Sequence, residues 1–201
     1  YSSTQVPHQL QALLAKHFGL DEHKVRVICK NVGGAFGMKA HIYGDEFAAV
    51  ALAIMLKRPV KYTPDRLESF TADLHVRGFK AKAKMAVDKD GKITAFEMDT
   101  LAGIGLFSMA PRSSIIETNQ VLNLSGGCYP IRNYRARGRI AFQTLAMTSG
   151  YRGVGHPLAM AITEGLVELA AAKLGLDLTR YRKHNGNKEY YTAPPFTRIT
   201  H

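Results

Sequence analysis

The residues of this sequence that could do chemistry gather at two glycine-rich stretches. The first is Val32-Gly33-Gly34-Ala35-Phe36-Gly37, and the second is Gly150-Tyr151-Arg152-Gly153-Val154-Gly155. Without Cβ atoms, backbone N–H groups in such turns can come close to a bulky anionic ligand. The first stretch lacks the G-x-G-x-x-G spacing of a dinucleotide fingerprint, and no Gly-Lys-Ser/Thr follows it, as a phosphate loop would need. On residue chemistry alone, a plain tight turn is an equal reading. Phe36 could then be a small core plug, Gln5 a surface amide near a chain end, and Arg152 a partner for a carboxylate such as Glu164 or a solvated cation.

Other chemistries find little support. The eight histidines form no H-x-x-x-H or H-E-x-x-H pattern. His156 therefore reads as a polar helix-start residue. No G-x-S-x-G elbow for nucleophilic catalysis occurs. Cys29 and Cys128 are too few for a four-cysteine iron–sulfur cluster or a structural zinc. Cys29 falls in an apolar, strand-like run and reads as a buried thiol. Glu46, just past the glycine loop, reads as a solvated helix residue.

These residues need elements to position them. Pro7 to Phe18 has the spacing of an amphipathic helix, with Leu10, Leu13, Leu14 and Phe18 on one stripe and Gly19 at its end. Lys24 to Lys30 alternates like a strand and leads into the first glycine loop. An Ala-rich helix is expected over Gly44 to Leu56, and a short strand over Val60 to Thr63. Arg77 to Val87 and Ile93 to Leu101 form a hairpin pattern around Asp88-Lys89-Asp90-Gly91. A helix follows over Ser113 to Leu122, then a strand over Tyr134 to Leu145. Pro157 to Leu174 carries the clearest helical signal, with Leu158, Ile162, Leu166, Leu169 and Leu174 as its stripe and Gly175 as its stop. Asp177 caps a short helix to about His184, and an irregular tail is expected over about 185–201. Helices and strands mix without regular βαβ alternation, which predicts an α+β domain with a mixed sheet and packed helices.

The chain has 201 residues, enough to bury a proper core in one domain over 1–201. No apolar run is long enough to span a bilayer. The opening Tyr1-Ser2-Ser3-Thr4 has neither an initiator Met nor a signal-peptide pattern, and reads as an internal or processed piece. Two cysteines place no demand for an oxidising compartment; a cytoplasmic location is expected, with the periplasm as the alternative. Lys and Arg number 27 against 16 Asp and Glu, a formal charge of +11. Arg135, Arg137 and Arg139 alternate as on one strand face, beside Arg132. A solvated face or an acidic partner subunit explains them at least as well as RNA, since aromatic residues do not interleave with the basic ones. No nucleic-acid partner is expected.

Several motifs in register resemble one family. Gly33-Gly34-Ala35-Phe36-Gly37-Met38-Lys39 is similar to the G-G-x-F-G-x-K loop of the molybdenum hydroxylases of xanthine oxidase and aldehyde oxidoreductase type. Ser3-Thr4-Gln5 is similar to their S-T-Q segment, and Tyr151-Arg152-Gly153-Val154-Gly155-His156-Pro157 to their aromatic-Arg-Gly-x-Gly-x-Pro turn. Glu164 to Asn185 resembles the helix and helix-turn that follow. The resemblance implies the first half of a molybdopterin-binding domain within a large subunit. Gln5 would donate to an oxo ligand of molybdenum. Gly34, Ala35, Phe36 and Gly37 would lie against the cofactor, Phe36 would face the substrate, and Arg152 would neutralise charge. The chain would supply no direct metal ligand. In bacteria the pterin often carries cytosine dinucleotide. Partner subunits would hold iron–sulfur clusters and FAD or haem.

Departures from the family bear on the substrate. Ala40 stands where purine hydroxylases carry a binding Glu, Gln120 where they carry an orienting Arg, and Val154 where they place a ring-stacking Phe. With Phe36 these would line a less charged pocket, which suggests an uncharged or apolar N-heterocycle or aldehyde, hydroxylated with oxygen from water. Ser149-Gly150-Tyr151-Arg152 replaces the Cys-Ser-Phe-Arg loop that holds copper in carbon monoxide dehydrogenases. No residue matches the Gly-x-Gly-Glu context of the family's catalytic base. That Glu is expected on a missing segment or a partner chain, so the sequence would be a fragment or a split subunit, exposing an apolar surface for its partner. The alternative from a different class is a non-catalytic cofactor-binding or assembly subunit.

Overall fold

The computed structural model describes residues 1–190 and 199–200. The chain forms two compact units. The first comprises Tyr1–Gly78, Gly103–Glu117 and Ile140–Val154; the second comprises Phe79–Ala102, Thr118–Arg139 and the chain from Gly155. Together they hold a three-stranded sheet and six α-helices among the described residues, the expected α+β composition.

The first unit begins with helix α1 (Pro7–Phe18), with Pro7 at its first position and Gly19 in the left-handed region at its end. Its predicted stripe is the inward face: Leu10 and Leu14 are buried with Ile42, and Leu13, Phe18, Val25, Val27, Phe47 and Val50 pack around them. The residues from Lys24 to Lys30 form no strand. Ser2 N–H donates to the Ile28 carbonyl at 3.1 Å, and Cys29 Sγ donates to the Thr4 carbonyl at 3.0 Å. A period of two makes a strand only where a partner backbone completes the ladder, and here Val25 and Val27 pack against α1 instead. Cys29 is consequently half-buried rather than buried. The strand expected over Val60 to Thr63 is likewise irregular.

Helix α2 (Gly44–Leu56) has the predicted bounds. Glu46 is not a solvated helix residue: its carboxylate accepts from Tyr43 N–H at 3.2 Å and from Ser2 Oγ at 2.7 Å, capping the helix and tying down the chain start. Helix α3 (Arg66–Ala72) was not expected, although Asp65-x-x-Glu68 is a capping box, with Asp65 Oδ1 accepting from Glu68 N–H at 2.8 Å and Glu68 Oε2 from Asp65 N–H at 2.7 Å. Leu52, Ile54, Met55 and Leu56 of α2 and Leu67 and Phe70 of α3 remain exposed.

The second unit contains the hairpin of β1 (Phe79–Val87) and β2 (Ile93–Gly103), antiparallel in a register running from Phe79↔Ala102 to Met85↔Phe96. Asp88 Oδ1 accepts from Asp90 N–H and Lys92 N–H, fixing the predicted turn. Helix α4 (Ile116–Leu124) crosses to β3 (Asn133–Ala141), which joins the far edge of β2. The bonds Asn133 to Thr94, Arg135 to Glu97 and Arg139 to Asp99 advance together, so β3 runs parallel to β2 and the sheet is mixed. The alternating arginines do share one face, where Glu97 and Asp99 partner two of them.

Helix α5 (His156–Leu174) packs on this sheet. Leu158, Ile162 and Leu166 meet Phe96, Met98 and Val121 as the stripe predicts. The fully buried seam is Ala159, Thr163, Val167 and Ala171, while Leu169 is 59% exposed. Small residues at intervals of four let the helix approach closely, which overrides the leucine stripe at its C-terminal half. Helix α6 (Leu178–Asn185) starts at Asp177, whose carboxylate accepts from Arg180 N–H. Asn185, grouped with the tail in the sequence reading, is the last residue of α6: its side chain accepts from Ile93 N–H and donates to the Gly91 carbonyl. Beyond it, β4 (Glu189–Tyr190) pairs with β5 (Ile199–Thr200). The rest of the expected tail lies outside the described residues.

Candidate functional site

The first glycine stretch and residues 150–154 of the second belong to the first unit, and they meet there. Arg152 N–H donates to the Phe36 carbonyl at 2.7 Å. A Cβ on Gly37 would stand 2.6 Å from the Gly150 carbonyl oxygen, and Gly37 has φ +101°, so both space and backbone require glycine there. Phe36 itself has φ +53°. For a residue with a Cβ this costs about 1–2 kcal/mol and must be held by its surroundings.

Gln5 joins the same assembly. Its backbone N–H donates to the Lys39 carbonyl at 2.8 Å, and Lys39 Nζ donates to Ser3 Oγ at 2.9 Å, so the Ser-Thr-Gln segment is strapped along the loop. Gln5 Oε1 accepts from Gly37 N–H at 3.0 Å. Only the amide oxygen can accept from a backbone N–H, which fixes the amide's orientation and leaves Nε2 to donate outward.

Phe36 is 52% exposed, so it is not a core plug. The Arg152 guanidinium carbon stands 5.6 Å from its ring centroid, and the Tyr151 ring stands 6.3 Å from it. Arg152 has no carboxylate within ion-pair distance among the described residues. Glu164, a partner considered from sequence, instead takes Arg182 Nε and Tyr129 OH, each at 2.8 Å, within the second unit. A cleft of about 240 Å³ borders the start of the loop at Ser2, Ser3, Lys30, Asn31 and Val32, and neither Phe36 nor Arg152 lines it.

The residues expected to line a substrate pocket are divided between the two units. Val154 closes the second turn, with φ +47° and its N–H donating to the Tyr151 carbonyl at 2.6 Å. Ala40 is buried, its N–H donating to the Gly37 carbonyl at 3.0 Å. Gln120 belongs to the second unit, where its Oε1 accepts from Gly155 N–H at 3.1 Å at the start of α5.

Three residues of the first unit escaped the sequence reading. His41 is buried to 1%, and burial together with the Arg112 charge pushes its pKa down, so its imidazole is neutral. Half-buried Arg77 and buried Glu117 form an ion pair beside the second turn. Nothing in the local sequence marks them, since 40 residues separate them and neither lies in a recognisable motif. No group of three or more His, Cys, Asp or Glu converges as a metal site among the described residues. No helix there is long and apolar enough to cross a membrane.

The donor set tests what such a face could hold. Gln5 Nε2 and the Arg152 guanidinium are both donor groups, the loop is free of carboxylates, and an aromatic ring supports the cation. This chemistry fits an oxygen-rich anion and repels a metal cation. The fold and the donor face together suit an anionic, oxygen-rich ligand. Residues 1–186 match the family model described as the molybdopterin cofactor-binding domain, and the chain belongs to that family, that of the molybdenum hydroxylases. It is 28% identical over 96% of its length to the nicotine 6-hydroxylase large subunit of Paenarthrobacter nicotinovorans, of which it covers 24%. It is 29% identical over 94% of its length to a xanthine dehydrogenase molybdenum-binding subunit of Escherichia coli O157:H7, covering 25% of it. Among solved structures it resembles quinoline 2-oxidoreductase from Pseudomonas putida 86, with a TM-score of 0.86 and 27% identity over 92% of this chain and 23% of that one. The chain thus spans about a quarter of the length of these relatives.

Proposed function

We propose that this chain is the part of a molybdenum hydroxylase that grips the molybdopterin cofactor between its two glycine turns. The observation that carries the reading is the bond from Arg152 N–H to the Phe36 carbonyl, which closes turns more than a hundred residues apart onto one donor face. Gln5 Nε2 donates to an anionic oxygen of the cofactor, its amide held by Gly37 N–H. The Arg152 guanidinium, steadied over the Phe36 ring, offsets the cofactor's negative charge. Gly34 and Gly37 keep side chains out of the way, and Ala35 with the Phe36 ring offers an apolar wall on the substrate side.

When bound, the cofactor supplies the two-electron redox chemistry. The proposed reaction hydroxylates an N-heterocycle or oxidises an aldehyde, with water as the oxygen source. The relatives named for nicotine and quinoline support an N-heterocycle. The base Glu belongs to another segment or chain. Electrons leave to iron–sulfur clusters and FAD or haem on partner subunits. The cytosine dinucleotide form of the pterin and a cytoplasmic location complete the reading. We further place residues 1–201 as the N-terminal part of the molybdenum-cofactor-binding domain.

The test is metal analysis and pterin extraction on the complete native complex, followed by Gln5→Ala and Arg152→Ala. Molybdenum and pterin should be found in the native complex. Each variant should lose roughly 100-fold in kcat/KM, the scale of one lost oriented donor, with little loss of stability because both side chains are exposed. A native complex without molybdenum, or full activity in both variants, would overturn the proposal.

A further inference from the structure

The proposed cofactor face leaves unused a set of groups drawn from three separate stretches of the first unit. Arg77 adopts φ +64°, a costly conformation for a residue with a Cβ. From that position its Nη2 donates to the Arg152 carbonyl and lies 3.5 Å from the Tyr151 carbonyl oxygen. Its guanidinium carbon stands 5.7 Å from the Tyr151 ring centroid. On its other side, Nε lies 3.7 Å from Glu117 Oε1, at ion-pair but not hydrogen-bond distance. Both of these atoms are buried and have no hydrogen-bond partner. Glu117 is only 3% exposed, and burial pushes its carboxyl up to about 7 against the pull of Arg77.

Such a pair is a poor source of stability. Removing two charges from water roughly cancels their attraction, and an apolar pair would do as well or better. What an apolar pair could not do is donate to two successive carbonyls while stacking on the ring between them. We propose that Arg77, held in place by Glu117, is a positioning residue for the second glycine turn: it fixes the Tyr151 and Arg152 carbonyls so that Arg152 N–H meets the Phe36 carbonyl and the Arg152 guanidinium stays over the Phe36 ring. The consequence for cofactor binding rests on the function proposed above; the strut itself concerns only the chain.

Hydrogen exchange of the full chain, read at the Arg152 amide with the α5 amides as a folding control, tests the strut directly. Arg77→Gln removes the charge-assisted bonds and should speed exchange at Arg152 by roughly tenfold or more while α5 stays protected. Arg77→Lys keeps a charge beside Glu117 but cannot span both carbonyls, and should fall between Arg77→Gln and the unmodified chain. Molybdenum bound per chain should decline in the same order. Unchanged protection at Arg152 in both variants, with α5 intact, would overturn the proposal. Should Arg77→Gln lose α5 protection too, Arg77→Lys decides alone: faster exchange at Arg152 supports the strut, and unchanged exchange overturns it. An unmodified chain without molybdenum would remove the cofactor reading, while the exchange rates would still judge the strut.

Discussion

The two units of this chain are held together in different ways. In the second unit, hairpin and helices satisfy most of their own hydrogen bonds, and two clusters around Phe96, Met98 and Val121 and around Tyr129, Val167 and Tyr181 fill the core. In the first unit the smaller core sits around Leu10, Leu14 and Ile42, and the glycine loops depend on long-range bonds between loop backbones. All four non-glycine residues with positive φ among the described residues, Phe36, Lys57, Arg77 and Val154, lie in the first unit, and three of them touch the two turns. Among the described residues this strain gathers around the two turns and is absent from the second unit. One unit is organised for stability and the other for shape.

That contrast can be broken by experiment. Phe96→Ala, deep in the second unit's core, should cost about 3–5 kcal/mol while leaving molybdenum per folded chain unchanged. Denaturant unfolding and metal analysis check the two halves of the statement. Loss of metal at full folding would show that core packing also shapes the site.

Gly37→Ala should reverse the pattern. A Cβ 2.6 Å from the Gly150 carbonyl oxygen, at φ +101°, forces the two turns apart. Stability should fall by about 2–3 kcal/mol, and bound molybdenum should be nearly lost. Retention of the metal would mean that the turns need not touch.

The buried Glu117 gives the first unit a pH signature. Its folded pKa, about 7, lies above the unfolded value of 4.5. The protonated form is therefore favoured by folding: stability from this group is present in full below pH 4.5 and is lost as pH rises through 7. The linkage amounts to about 3 kcal/mol across that window. Glu117→Gln should flatten the fall in stability between pH 5 and pH 8, measured by denaturant midpoints. An equal slope in both proteins would place the titration elsewhere.

The smallest expected effect sharpens the contrast from the scaffold side of the first unit. Asp65→Ala removes the N-cap of α3 and should cost about 1 kcal/mol, seen as a modest drop in Tm with molybdenum content unchanged.

Much of the fold was legible because its signals are local. The periodicity of α1, the Ala-rich run of α2, the Asp-Gly turn of the hairpin, the glycine stops and the Asp177 cap each depend on a few neighbouring residues, and the structure bears them out. The capping box of α3 was equally local and was overlooked. The expected strand over Lys24 to Lys30 failed for a different reason. Its alternation was present, but a strand also needs a partner at the right distance, and the neighbouring chain gives it isolated bonds instead of a ladder.

The composition of the glycine stretches and the order of the motifs were determined by the sequence alone, because residue types and spacing are properties of the chain. The meeting of Phe36 with Arg152, the direction of the Gln5 amide and the pairing of half-buried Arg77 with Glu117 were decided only by tertiary structure. Each joins segments tens of residues apart, and whether a cation ends up exposed over a ring or buried beside a carboxylate depends on what folding brings next to it. Arg77 and Arg152 look alike in the sequence; packing turned one toward the interior and left the other facing outward.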